Sequence, residues 1–221
     1  QEHNADIGIA HDGDADRVLL CDETGTLIDG DDIMAIAALE MLAEGSLANN
    51  TLVTTVMSNA GLDAAIEASG GRTVRTPVGD KHVIDAMLQH GYNFGGEQSG
   101  HLIFGDHAST GDGLVAALQI LRIMAAKQQP LSKLAQCWKR FPQKLTNLRV
   151  TEKKPIEELE GVTALVTEAE SALQAEGGRV LLRYSGTEPK IRLLLEGKDA
   201  AKLDAWSEKI MSAIQAQIGE A

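Results

Sequence analysis

The chain has 221 residues, 43% of them hydrophobic and only 3% aromatic, and its 32 Asp and Glu against 20 Lys and Arg leave a formal charge of −12. That composition supplies aliphatic material for one or two cores, and the acidic balance argues against nucleic acid or an anionic membrane as a partner. No apolar run approaches the roughly 20 residues of a membrane span, and Cys21 and Cys137 have neither metal-ligand nor disulfide spacing, so a reducing cytoplasm is the expected setting.

In chain order, Ile7-Gly8-Ile9-Ala10 and Val18-Leu19-Leu20-Cys21 read as two short strands, and Glu23-Thr24-Gly25 turns into Thr26-Leu27-Ile28. The loop between the two strands is Asp12-Gly13-Asp14-Ala15-Asp16-Arg17, which sets a carboxylate at every second position and follows them with a fixed cation. Like charges this close repel unless a cation sits among them, so a bound divalent metal is the economical explanation. An EF-hand also places carboxylates at positions 1, 3 and 5. Its position 6 requires glycine and holds Arg17 here, and the flanks are strand-like. A solvated acidic turn is the plain alternative. Against it stands Arg17, a guanidinium suited to gripping a phosphate oxygen beside a metal.

From Gly30 the pattern alternates. Asp31 or Asp32 can cap a helix bearing Ile33, Ile36, Ala37, Leu39 and Leu42, which Gly45 stops, and Thr51 to Val56 is a β-branched strand. A helix over residues 60–68, a strand over 72–76, a helix over 80–89, a strand over 92–95 and a helix over 111–126 capped by Asp112 follow. Strands interleaved with helices imply a mixed, mostly parallel sheet covered on both faces. Ligands of such sheets bind beyond the carboxyl ends of the strands, where Phe94-Gly95-Gly96-Glu97-Gln98-Ser99-Gly100-His101 lies, a glycine-rich run with the polar groups that ligate sugar hydroxyls.

Beyond Phe141-Pro142 the order changes: strands near residues 143–150, 179–183 and 191–196, and helices near 156–175 and 200–218. This makes a small α+β domain. The fold expected is therefore an α/β domain at 29–138, preceded by a β-hairpin remnant of another domain at 1–28 and followed by an α+β domain at 142–221. In the last, Arg183-Tyr184-Ser185-Gly186-Thr187-Glu188-Pro189-Lys190-Ile191-Arg192 joins hydroxyls, a glycine and cations into an anion-binding turn. Trp138 and Trp206 are expected as packing anchors.

These three loops, in this order and with Pro77-Val78-Gly79-Asp80-Lys81 between the first two, resemble those of the α-D-phosphohexomutase superfamily. The form Asp14-Ala15-Asp16, the run Gly96-Glu97-Gln98-Ser99-Gly100-His101 and the segment Thr55-Val56-Met57-Ser58-Asn59 place the resemblance nearest the members acting on hexosamine phosphates, and it runs almost end to end. It implies an isomerase that interconverts glucosamine 6-phosphate and glucosamine 1-phosphate through a phosphoserine enzyme and a bisphosphate intermediate, feeding amino-sugar nucleotide and cell-wall precursor synthesis. It further implies that Asp12, Asp14 and Asp16 hold Mg²⁺, that Arg17 contacts the transferring phosphate, and that Glu97 and Ser99 bind sugar hydroxyls. Arg183, Ser185, Gly186, Thr187 and Arg192 would clamp the other phosphate.

Lys81 and His101 are the acid–base candidates, against the readings of a solvated helix-start lysine and a supporting histidine. The superfamily's phosphoserine loop, of the Ser-His-Asn-Pro type, has no counterpart in the sequence, so the chain reads as the C-terminal portion of such an enzyme, inactive alone, with any homodimer formed through an N-terminal domain. A relative specific for mannose or glucose phosphate is one alternative. A sugar-phosphate-binding module without catalysis is the other.

Overall fold

The computed structural model describes residues 2–220; residues 1 and 221, the outer ends of the first and last ranges given above, lie outside them. Antiparallel strands β1 (Ile7–His11) and β2 (Val18–Asp22) pair Ile7 with Asp22 and His11 with Val18, and β3 (Leu27–Ile28) lies on the other edge of β2. Val18 and Leu20 point into the core while Leu19 stays exposed, the two-residue period of a strand with one covered face.

Helix α1 (Gly30–Glu44) is capped by Asp29, whose carboxylate accepts from the N–H groups of Asp31 and Asp32 while Asp32 reaches back to the Asp29 N–H. The cap thus lies ahead of the two residues expected from sequence, because the helix already begins at Gly30. A second sheet has the order β5-β4-β6-β7, made of β4 (Thr51–Thr55), β5 (Arg72–Thr76), β6 (Phe94–Gly96) and β7 (Leu102–Phe104). Strand β4 is parallel to β5 and β6 and buried along its length, as a central parallel strand must be, and β7 returns antiparallel to β6. Helices α2 (Ala60–Ala68), α3 (Asp80–His90), α4 (Gly113–Lys127) and the short α5 (Leu131–Leu134) complete the series. Val18, Leu20 and Ile28 of the hairpin share one core with Ile33, Ile36, Leu52, Phe94 and Ile120, and Trp138 packs at its margin. Strand β7 and helix α5 have no counterpart in the sequence reading, since runs of three and four residues are too short to display a period.

Strands β8 (Gln143–Arg149), β9 (Arg179–Tyr184) and β10 (Lys190–Glu196) form an antiparallel sheet of order β8-β10-β9, with helices α6 (Val162–Gln174) and α7 (Ala200–Ile218). Ile191, Leu193 and Leu195 of β10 enter a core with Leu203, Ile210, Ile214 and Leu173, while Trp206 packs against it. Helix α6 starts later than residue 156, because Pro155 leads into a single 3₁₀ turn at Ile156–Glu158 and Gly161 takes the left-handed conformation, φ 73°, just before the helix. The contacts divide the chain into two compact units: one holds the chain up to Ser58 with Leu62–Lys139, the other Asn59–Gly61 with the chain from Arg140 onward. The architecture is a mixed α/β sheet unit that includes the hairpin, and a small α+β unit. Among the described residues no helix is long and apolar enough to cross a membrane.

Within the second unit the Glu196 carboxylate is 0% exposed and accepts hydrogen bonds from Arg179 and Gln143, pinning the ends of three strands. Replacing it by alanine removes the buried acceptor that Arg179 and Gln143 share. We expect Glu196→Ala to lower stability by about 2–3 kcal/mol, read from urea denaturation of the purified chain.

Candidate active site

The Asp12–Arg17 loop is closed by its own backbone and by two neighbours. Ala15 adopts φ 58°, unusual for a residue with a Cβ, and its N–H donates to the Asp12 carbonyl at 3.3 Å. The Arg17 N–H donates to Asp12 Oδ1 at 3.2 Å, and the His11 ring lies 3.0 Å from the Arg17 carbonyl through Nδ1. In this geometry carboxylate oxygens of Asp12, Asp14 and Asp16 lie within 4.8 Å of one another. The Arg17 guanidinium stands 3.7 Å from both Asp12 and Asp16, too far for a tight pair, and Asp16 Oδ1, the oxygen it faces, is buried without a hydrogen-bond partner among the described residues. A hard divalent cation with oxygen ligands fits such a donor set.

The glycine-rich run is a turn joining β6 to β7. The Glu97 N–H donates to the His101 carbonyl at 2.9 Å and the Gly100 N–H to the Glu97 carbonyl at 3.0 Å. Its glycines allow backbones to touch: a Cβ on Gly100, at φ 91°, would stand 2.2 Å from the Val18 carbonyl oxygen, and one on Gly30 would stand 2.2 Å from the Glu97 carbonyl oxygen. The Val18 N–H donates to the Gly100 carbonyl at 3.1 Å, Arg17 and His101 form an antiparallel bridge, and His101 Nδ1 meets Asp16 Oδ2 at 3.1 Å. The acidic loop and the glycine-rich loop are therefore one construction, although 85 positions separate Asp16 from His101.

Glu97 is almost buried, and its Oε1 accepts the Gly79 N–H at 3.0 Å, which ties it to the start of α3, where Lys81 is exposed. Ser99 is exposed at the tip of the turn. Sequence reasoning missed the socket behind these groups. A Cβ on Gly111 would lie 2.1 Å from His101 Nε2, one on Gly113 would lie 2.5 Å from the Arg17 carbonyl oxygen, and the Gly113 N–H donates to the Ala15 carbonyl at 3.0 Å. The signal was Gly111-Asp112-Gly113 itself, of which only the capping role of Asp112 was legible; Asp112 does accept from the Val115 N–H.

In the second unit the β9–β10 turn carries the other candidate residues. Arg183 and Arg192 face each other directly across the two strands, a like-charge pairing that destabilises a sheet unless an anion offsets it. Ser185 is buried, with its N–H on the Lys190 carbonyl at 2.8 Å and its hydroxyl accepting the Glu188 N–H at 3.3 Å, while Gly186 and Thr187 are exposed. Gly186 has no positive φ, and nothing lies within 4 Å of an added Cβ, so neither its backbone nor its packing demands glycine. Arg192 donates to Glu188 Oε2 at 3.0 Å and Lys190 to Oε1 at 2.7 Å, whereas Arg192 Nε is buried without an acceptor among the described residues.

Residues 29–141 match the profile of the phosphoglucomutase/phosphomannomutase alpha/beta/alpha domain III, and residues 145–213 that of the C-terminal domain of the same family. The chain belongs to the phosphoglucomutase/phosphomannomutase family. Similar curated members of this family are named phosphoglucosamine mutase: that of Geobacter metallireducens is 52% identical over 219 residues, 99% of this chain and 48% of the relative, and that of Pelobacter propionicus 52% identical over 220 residues, 100% and 48%. The chain thus spans about half the length of the curated relatives it matches. Among solved structures, N-acetylphosphoglucosamine mutase of Aspergillus fumigatus, in complex with GlcNAc-6P and magnesium, superposes with a TM-score of 0.73 at 23% identity, covering 94% of this chain and 48% of that one. The product complex of an N-acetylglucosamine-phosphate mutase of the α-D-phosphohexomutase superfamily gives 0.71 at 20% identity, covering 94% and 48%. Both show that the fold of this family member is shared.

Hydrogen bonding to Lys190 and the neighbouring charges of Lys190 and Arg192 hold the Glu188 carboxyl below the usual glutamate range. A lowered folded-state value means that the pairing is complete above the unfolded glutamate range and is lost as pH falls through the folded value. Carboxyl NMR titration should place the Glu188 midpoint below that of an ordinary glutamate, and Lys190→Ala should move it upward; an unmoved midpoint contradicts the pairing.

Proposed function

We infer that this chain supplies the metal-binding, sugar-binding and phosphate-binding parts of a phosphoglucosamine mutase, with glucosamine 6-phosphate and glucosamine 1-phosphate as substrate and product. What supports the reading most is the joining of the acidic loop to the glycine-rich loop through Asp16–His101 and Val18–Gly100. It joins the loop of the three carboxylates to the loop that carries Glu97 and Ser99 within one unit, and the relatives' names point to the same chemistry.

In this reading Asp12, Asp14 and Asp16 hold Mg²⁺, which when bound neutralises charge on the phosphoryl group in flight. Arg17, exposed at the loop's end, contacts the transferring phosphate and adds fixed positive charge without needing a proton. Glu97 accepts from one or two sugar hydroxyls while Gly79 holds its carboxylate still, and Ser99 supplies a hydroxyl from the tip of the same turn. Such fixed partners turn the sugar so that a given hydroxyl is presented. Lys81, exposed in the first turn of α3, is the group to which we assign proton movement at the sugar hydroxyl.

The second unit grips the phosphate that is not transferred. Arg183 and Arg192 provide paired cations, the Ser185 and Thr187 hydroxyls donate, and Gly186 leaves room for a phosphate against the backbone. The phosphoserine that the resemblance assigns to phosphoryl donation is not among these residues. The acidic net charge favours neither nucleic acid nor an anionic membrane as a partner, and a cytoplasmic setting suits a sugar-phosphate metabolic enzyme.

Calorimetry of the purified chain with glucosamine 6-phosphate, glucose 6-phosphate and mannose 6-phosphate tests the substrate class, and the hexosamine phosphate should bind tightest. Arg183→Ala should weaken it about tenfold or more, the usual worth of a charged hydrogen bond. A coupled assay should find no isomerisation by this chain alone. Unchanged affinity in the Arg183 variant, or turnover by the chain itself, contradicts the assignment.

A further inference from the structure

His101 is 3% exposed, which places its imidazole inside the unit and off its surface. A ring that exchanges protons with substrate must turn one nitrogen toward it, and here both are engaged or enclosed. Nδ1 lies 3.1 Å from Asp16 Oδ2, and Nε2 is buried without a hydrogen-bond partner among the described residues, its side of the ring filled by Gly111, where any Cβ would come to 2.1 Å of that nitrogen. An ionised carboxylate only accepts, so Nδ1 carries the proton and donates it to Asp16. The backbone fixes this contact from both sides, because Arg17, next to Asp16, bridges to His101 itself.

We propose that His101 is a positioning residue for the metal loop rather than an acid–base group at the sugar. Its Nδ1–H holds Asp16 Oδ2 and so leaves Oδ1, which stands 3.7 Å from Arg17 Nε and has no hydrogen-bond partner among the described residues, as the oxygen for the cation. Partners behind the ligands of a metal site set ligand orientation, and their loss typically costs about 10–100-fold in affinity. The glycine at 111 follows from this arrangement, since a side chain there would displace the ring from its carboxylate. The contact spans the chain: beside the Val18–Gly100 hydrogen bond and the Arg17–His101 bridge it is the side-chain tie between the loop that carries Glu97 and the loop that would ligate the metal.

The inference rests on reading Asp12, Asp14 and Asp16 as a divalent-metal site, and its test separates the two. Mg²⁺ affinity of the purified chain is measured by calorimetry for the wild type, for Asp14→Asn, and for His101→Asn and His101→Gln, with the melting temperature of each. Both His101 substitutions fill the site with an amide, but the shorter one puts its NH₂ where Nδ1 stands and the longer one where Nε2 stands. His101→Asn should bind Mg²⁺ within about threefold of the wild type, and His101→Gln about tenfold or more weakly at comparable melting temperature. Equal affinities in the two variants overturn the positioning role while leaving the metal site intact. Failure of the wild type to bind Mg²⁺, or binding undiminished in Asp14→Asn, overturns the metal reading and this inference with it.

Discussion

The mutual repulsion of carboxylates packed into six residues is the constraint around which the first unit is built. Asp12, Asp14 and Asp16 bring their oxygens within 4.8 Å of one another, and the loop's own bonds, from the Ala15 and Arg17 N–H groups to Asp12, restrain only one of the three. The rest of the restraint comes from outside: the antiparallel hairpin at its base, the His11 ring on the Arg17 carbonyl, the first N–H of α4 on the Ala15 carbonyl, and the His101 ring on Asp16. Each uses a part of the fold that is itself anchored in the aliphatic core shared by Val18, Phe94 and Ile120. A loop held this way stores like charge at fixed positions, which is what binding a cation with few protein ligands requires.

The same logic, with the sign reversed, describes the β9–β10 turn. There the unfavourable pairing is between guanidinium groups placed opposite each other in register, and an internal carboxylate, Glu188, takes up part of the charge. Both loops hold uncompensated charge next to well-ordered strands. In an acidic protein such a concentration of cations at one turn is informative, because the average surface offers few of them.

Much of this was legible from the residues. The alternation of β-branched strands with glycine-stopped helices pointed to the mostly parallel sheet, and strict spacing in Asp12-Gly13-Asp14-Ala15-Asp16 marked the loop in which three carboxylates gather. What sequence could not carry was anything arising from contact between distant segments. Nothing in His101 says that its ring faces Asp16 and not a sugar, nothing in Gly111 or Gly113 says that a ring and a carbonyl press against them, and nothing in Gly79 says that its N–H steadies Glu97. The short β7 and α5 were missed for a different reason: three or four residues contain no period to detect, and they exist because the hairpin turn and the core hold them in place. Helix α6 shows the converse, since its periodic pattern extended into a stretch where Pro155 and Gly161 set the backbone.

The central claim is that the acidic loop and the glycine-rich loop form a single site around one cation. Paramagnetic broadening by Mn²⁺, followed in amide NMR spectra of the chain, tests it most directly. The account predicts that substoichiometric Mn²⁺ broadens the amides of Asp14, Arg17, Gly100, His101 and Gly113 together, and that Asp14→Asn removes the effect from all of them at once. Broadening of the acidic loop that leaves Gly100 and His101 sharp, or broadening centred on another part of the chain, would contradict it.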